Sequence, residues 1–301
     1  MRAEWKNQSL IINFHYVRDT QGFFAITKNT FSKIIISLKK THDIICLDEI
    51  SIRNQTKPFC ILTFDDGLSD HYEFVFPLLK KFGIRANFFP STAPITKSVI
   101  LNTHIIHLLL AKVGKEDLAK LLTQCFKKRS INIDLYDFSN PLFFNKWADP
   151  LLSNIKKSLM DLNLLVSREM LIELLTKYLG EEKKINKKFY LQGKQIEKMY
   201  KDGMNFGLHG DQHIPLAKLS YDEKYEDMYK SINILSKFCD SINSIAYPFG
   251  SYDNETKEIA SELKIHYGLT IGEDFFKPSY DNLELPRYDA YTVAKSLGYM
   301  L

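Results

Sequence analysis

FCILTFDDG, residues 59–67, sets six residues suited to the middle of a sheet directly before two carboxylates and a glycine. An apolar run broken only by Thr63 fits a strand buried on both faces, as in a parallel sheet covered by helices. Asp and Gly favour turns and caps, so the DDG that follows reads as the loop ending that strand. The same unit recurs on either side. Leu10–Phe14 reads as a buried strand, Thr30–Lys40 as a helix with Phe31, Ile34, Ile35 and Leu38 on one face, and Ile44–Leu47 as another strand. After Gly67 a helix runs to about Phe82, stopped by Gly83, with Pro77 kinking it or marking its start. Ile84–Phe89 is again strand-like.

From about 97 to 200 the periodicity turns helical, as in HIIHLLLAKV, KEDLAKLLTQCF and SREMLIELLTKYL. Alternation then resumes: strand Met204–Leu208, helix Tyr221–Phe238, strand Ser244–Tyr247, helix Asn254–Leu263, strand Tyr267–Ile271 and an extended piece at Leu283–Pro286. Repeated βα units with continuous apolar strands argue for an α/β fold, and their number favours a barrel over an open sheet. The expected organisation is a single domain over 9–301 interrupted by a helical insertion at about 97–200.

The 301 residues include 40 Lys+Arg and 36 Asp+Glu, a net charge of +4, with 45% apolar residues. This excludes a disordered chain and shows no concentrated basic patch for nucleic acid. Cys46, Cys60, Cys125 and Cys239 form no CxxC pair and read as buried thiols. No run reaches the length of a membrane span, and MRAEWKNQSLIINFHYV lacks the features of a signal peptide, so the expected location is cytoplasmic.

In βα barrels the chemistry collects where strands end. Five strand ends here carry unusual residues: His15, Asp65-Asp66-Gly67, the run His209-Gly210-Asp211-Gln212-His213, Pro248-Phe249-Gly250, and Arg287. Adjacent carboxylates at the end of a buried strand repel and lose hydration, which a divalent cation would offset. His209 and His213, spaced i, i+4, suit one ion, and two His with one carboxylate and an open position is a catalytic zinc arrangement. His104 and His107 fit a helix face, and His42, His71 and His266 have no partner motif.

TFDDG (63–67), GLHGDQH (207–213) and AYPFG (246–250) together resemble the polysaccharide deacetylases with a NodB-homology domain, over roughly residues 9–95 and 200–290. The resemblance implies a distorted (β/α) barrel and a metal-dependent hydrolase that removes acetyl groups from sugars. It implies Asp65 as catalytic base, Asp66, His209 and His213 as metal ligands, and a backbone N–H at Tyr247 as oxyanion donor. Three departures stand out. Gly210 replaces the usual Ser or Thr after the first metal His, Ala246-Tyr247-Pro248 carries no Arg, and no Leu-x-His follows. Asn13-Phe14-His15-Tyr16-Val17 and Leu285-Pro286-Arg287 resemble elements of a circularly permuted branch, which implies His15 as general acid and Arg287 as the residue orienting Asp65.

The implied reaction is release of acetate from an N-acetylated amino sugar or glycan precursor, nucleotide-linked, lipid-linked or oligomeric, in bacterial surface polysaccharide synthesis. An amidase or O-deacetylase acting on another small acylated substrate, or a catalytically silent glycan-binding protein, stays open on the sequence alone.

Overall fold

The computed structural model describes residues 3–19, 25–50, 57–137, 149–162 and 164–299. Its strands are β1 (Leu10–Phe14), β2 (Asp43–Ile45), β3 (Phe59–Asp65), β4 (Asn87–Phe89), β5 (Asn205–Phe206), β6 (Ser244–Ala246), β7 (Tyr267–Leu269) and β8 (Tyr288–Asp289). β1 pairs β3 from Leu10↔Cys60 to Phe14↔Phe64, and β2 and β4 share the other edge of β3. β4 pairs β5, and Leu208 just beyond β5 bridges Ile245 of β6. β6 pairs β7, Leu269 of β7 bridges Leu285, and β8 in the same extended run pairs back to Ile12 and Asn13 of β1. All these pairings are parallel and they return to their starting strand, which makes a distorted (β/α) barrel.

Strand parity then sorts the side chains. Ile11, Phe59, Ile61, Phe89, Ala246, Leu269 and Leu285 form one buried cluster, which plugs the barrel. Leu10, Ile12, Phe14, Cys60, Leu62 and Phe64 belong to the other, packed on the helices. Both faces of β1 and β3 are therefore buried, which is why their sequences show no polar alternation. The helix Lys28–Thr41 begins at Thr27, whose side chain accepts the Thr30 N–H, and it buries Phe31, Ile34, Ile35 and Leu38 against the outer cluster. Each such side chain contributes roughly 1.5–3 kcal/mol by leaving water.

The sequence expectations need two corrections. The helix after Gly67 is not regular: His71–Val75 form a π turn before the α-helix Phe76–Lys81. Pro77 has no N–H to give the carbonyl four residues back, and the wider turn accommodates that gap. The extended piece at Leu283–Pro286 continues past Arg287 into β8. The chain separates into two compact units, one of 1–19, 24–97 and 187–301 and one of 20–23 and 98–186. Within the first unit Tyr190 bridges Leu68 and the Leu191 N–H donates to the Gly67 carbonyl. Residues 138–148 and 163 of the helical stretch lie outside the described residues.

The four cysteines are free and buried. Among the described residues, no helix is long and apolar enough to cross a membrane.

Candidate active site

The inward parity of β3 runs Phe59, Ile61, Thr63, Asp65, so the apolar plug gives way to polar groups toward the C-terminal mouth. β1 does the same with Ile11, Asn13 and His15. The register Phe14↔Phe64, carried one residue further, sets His15 level with Asp65. The run into β8 contributes Leu285, Arg287 and Asp289 on the same face.

Asp65 and Arg287 meet inside this mouth. Arg287 Nη1 and Nη2 donate to Asp65 Oδ1 and Oδ2 at 2.8 Å each, Nη1 also reaches Thr63 Oγ1 at 3.2 Å, and Nε donates to the Thr270 carbonyl at 3.0 Å. Asp65 is 1% and Arg287 2% exposed. Burial alone would raise the Asp65 carboxyl pKa, but the Arg287 guanidinium together with His209 outweighs it and holds Asp65 below the usual carboxylate range.

The next residue turns away. Asp66 has φ +73 and Gly67 φ +67, two left-handed positions in succession, so adjacent carboxylates reach different neighbours. Asp66 Oδ1 stands 3.5 Å from His209 Nε2 and 3.5 Å from His213 Nε2. One donor atom from each of the three side chains lies within 4.8 Å of the others. The spacing of the two histidines is met by a loop rather than a helix, with Gly210 at φ +67 and His213 at φ +55.

The donor chemistry fits a cation. His209 Nδ1 lies 2.6 Å from the Ala246 carbonyl, which can only accept, so Nδ1 carries the proton. The lone pair is then on Nε2, which is buried and makes no hydrogen bond. Fixing a histidine tautomer through its other nitrogen is how metal-ligating imidazoles are oriented. Burial opposes positive charge here, but Asp65 and Asp66 outweigh it and raise the His209 pKa, so the pocket draws either a proton or a cation to Nε2.

His15, half-buried at the end of β1, lies in the neighbourhood of Asp65 and of Asp289, whose carboxyl burial pushes up. Two side chains that the sequence left without a role fix its segment. His71 Nε2 donates to the His15 carbonyl at 2.9 Å. Asp70 accepts the Val17 N–H at 3.2 Å and the Arg18 guanidinium at 2.7 and 2.6 Å. Burial holds the His71 ring below the usual histidine pKa, so it serves as a neutral donor. Neither residue belongs to a recognisable spacing; only their place just after DDG hinted at the mouth of the barrel.

Tyr247 does not meet its expectation. Its N–H donates to the Leu269 carbonyl at 3.1 Å as part of the β6–β7 ladder, which uses up the proposed oxyanion donor. Its side chain is fully buried, with the hydroxyl on the Leu283 carbonyl at 3.0 Å and the ring stacked on Tyr252. Phe249, two residues on and at φ +58, is the residue of this loop that reaches the site, its ring 4.4 Å from that of His213.

The polysaccharide deacetylase family profile matches residues 52–124 and 174–268, more than half of the chain. A search of curated protein sequences finds no significant match. Among solved structures, the chain is similar to the Streptococcus pyogenes deacetylase PplD in complex with acetate, at TM-score 0.61 and 17% identity over 98% of each chain. It is also similar to IcaB from Ammonifex degensii, at TM-score 0.59 and 15% identity over 97% of each chain. The BpsB deacetylase domain from Bordetella bronchiseptica matches at TM-score 0.57 and 15% identity, over 94% of this chain and 96% of that one. At such identities these structures speak to the fold alone.

Proposed function

Because the chain belongs to the polysaccharide deacetylase family, whose members hydrolyse N-acetyl amides of carbohydrates, we propose that it is a metal-dependent N-deacetylase of a bacterial surface glycan or its precursor. The observation that carries this reading is the pairing, at one barrel mouth, of an Arg287-clamped Asp65 with the cluster of Asp66, His209 and His213. On this reading the barrel is one deacetylase domain and the helical residues are an insertion in it.

A divalent cation, zinc by the donor set, would be held by Asp66, His209 and His213 and would supply Lewis acidity to the acyl carbonyl and to a water. Asp65, kept ionised and aimed by Arg287, accepts the proton of the water that attacks the acetyl carbon. His15 gives a proton to the sugar nitrogen as the carbon–nitrogen bond breaks, so the products are acetate and a free amine. The proton balance favours amide substrates, since an amine leaves poorly without an acid. With the Tyr247 N–H donated to the Leu269 carbonyl, the oxyanion would rest on the cation.

The test is acetate release from N-acetylated sugars, free, nucleotide-linked and oligomeric, by metal-loaded protein. Asp65→Asn and His15→Ala should each lower kcat by about 10²–10⁴ while zinc remains bound. Turnover by Asp65→Asn at the wild-type rate would sink the reading.

A further inference from the structure

The loop that carries both histidines is held from two sides. Its carbonyls face the segment after β4: Ser91 Oγ donates to the His209 carbonyl at 2.8 Å, the Thr92 N–H to Gly210 at 3.2 Å, and the Ala93 N–H to Asp211 at 2.9 Å. Its N–H groups face the helix Tyr221–Leu235. There the Asp211 N–H lies 3.1 and 3.0 Å from the two oxygens of Asp227, with the Gln212 N–H beside the same carboxylate. A Cβ at Gly210 would come within 3.0 Å of Asp227 Oδ1, so this close approach uses the absence of a side chain at 210. The Asp211 carboxylate is served separately, by Thr92 Oγ1 at 2.8 Å, by Lys230 and by Lys97 at 3.6 Å.

We propose that Asp227 is a positioning residue of the metal loop, its carboxylate fixing the backbone between the two histidine ligands through the Asp211 N–H group. It would take the part of the hydroxyl that Gly210 lacks. Unpaired backbone N–H groups in a buried loop are costly, and a charged acceptor bonds them more strongly than a neutral one. A loop left free to choose other conformations would carry His213 out of reach of Asp66, because φ +55 at His213 is a conformation that must be held in place. Asp227 touches neither substrate nor metal in this role; it acts through the loop.

The inference rests on the metal-site reading above, and the experiment separates the two. Zinc affinity is measured by competition with a chromophoric chelator, and cobalt(II) absorption reports the coordination geometry. Asp227→Ala should bind zinc about 10–100-fold more weakly, as supporting partners of metal ligands generally do. It should also show an altered cobalt spectrum, with circular dichroism unchanged from the wild-type protein. Asp227→Asn keeps one acceptor oxygen and should fall between the two. If the alanine variant does not fold, the asparagine variant alone decides, at roughly threefold or more weaker binding. Wild-type affinity and spectrum in a folded variant would overturn this inference alone. Failure of the wild-type protein to bind zinc would overturn it together with the metal-site reading.

Discussion

Arg287 is tolerable inside the barrel because its guanidinium meets both oxygens of Asp65, Thr63 Oγ1 and the Thr270 carbonyl. Removing one member of such a pair leaves the other buried and charged, at a cost of about 3–5 kcal/mol. Arg287→Met should lose that much stability in urea unfolding. Arg287→Lys retains charge but not the two-pronged geometry, so it should lose less. The pH dependence has a definite sign. With Arg287 present, Asp65 titrates lower in the folded than in the unfolded chain, whose value is about 3.9. The pair therefore contributes stability that is present above that value and lost as pH falls through the folded pKa. Weakening the clamp in Arg287→Lys lets burial dominate, so the acid limb of the rate profile should move to higher pH. Asp227 has the opposite sign: burial, aided by Asp211, pushes it up to about 6. Its charged form costs stability that is absent below the unfolded value and fully incurred above about pH 6. Between pH 4 and pH 7 the stability of Asp227→Asn relative to the wild-type protein should thus improve, by at most about 3 kcal/mol. Urea titrations at the two pH values measure it.

At the scale of elements, the turn after β3 matters most. Gly67 has φ +67, and a Cβ there would lie 2.5 Å from the Pro90 Cβ. Gly67→Ala should cost about 1–3 kcal/mol and lower the Tm, from a left-handed backbone and a contact that cannot relax without moving Pro90. What the sequence revealed follows the length of each element. β3 has seven buried residues and β1 five, enough for an apolar run to identify them. β5 and β8 have two residues each, and β8 is Tyr-Asp, with no apolar signature. The π turn was hidden because the cue, Pro77, fits an ordinary helix start equally well. Asp65, Asp66, His209 and His213 stood out because polar residues at buried strand ends are anomalous in one dimension. Asp227 did not, since an Asp in YDEKYEDMYK reads as one more solvated helix position. Its environment is decided by the loop 16 residues back, which folds against this helix. The Tyr247 N–H was not recognisable as engaged, because periodicity cannot tell which N–H a ladder consumes.

For the whole molecule, the barrel's ring of parallel pairings means that its ligands are gathered from strands far apart in sequence. A cation bound to the folded barrel and not to the unfolded chain stabilises it by mass action, about 2.7 kcal/mol at a hundredfold excess over Kd. Zinc should therefore raise the Tm and EDTA reverse it, and Asp66→Ala should abolish the response. A Tm indifferent to zinc in the wild-type protein would contradict the assignment of the three ligands.

The two halves of the buried pair, Asp65 and Arg287, are 222 positions apart in the chain. During translation the carboxylate leaves the ribosome long before its counter-charge exists. A nascent chain that has displayed Asp65, Asp66 and both histidines still lacks the strand that closes the barrel and the group that keeps Asp65 aimed. On the proposed roles of Asp65 and Arg287, hydrolytic competence would arrive late in synthesis, and pairing at such separation makes for slow closure. Chains stalled before Arg287 emerges should be inert, even with Asp66, His209 and His213, the proposed metal ligands, already made.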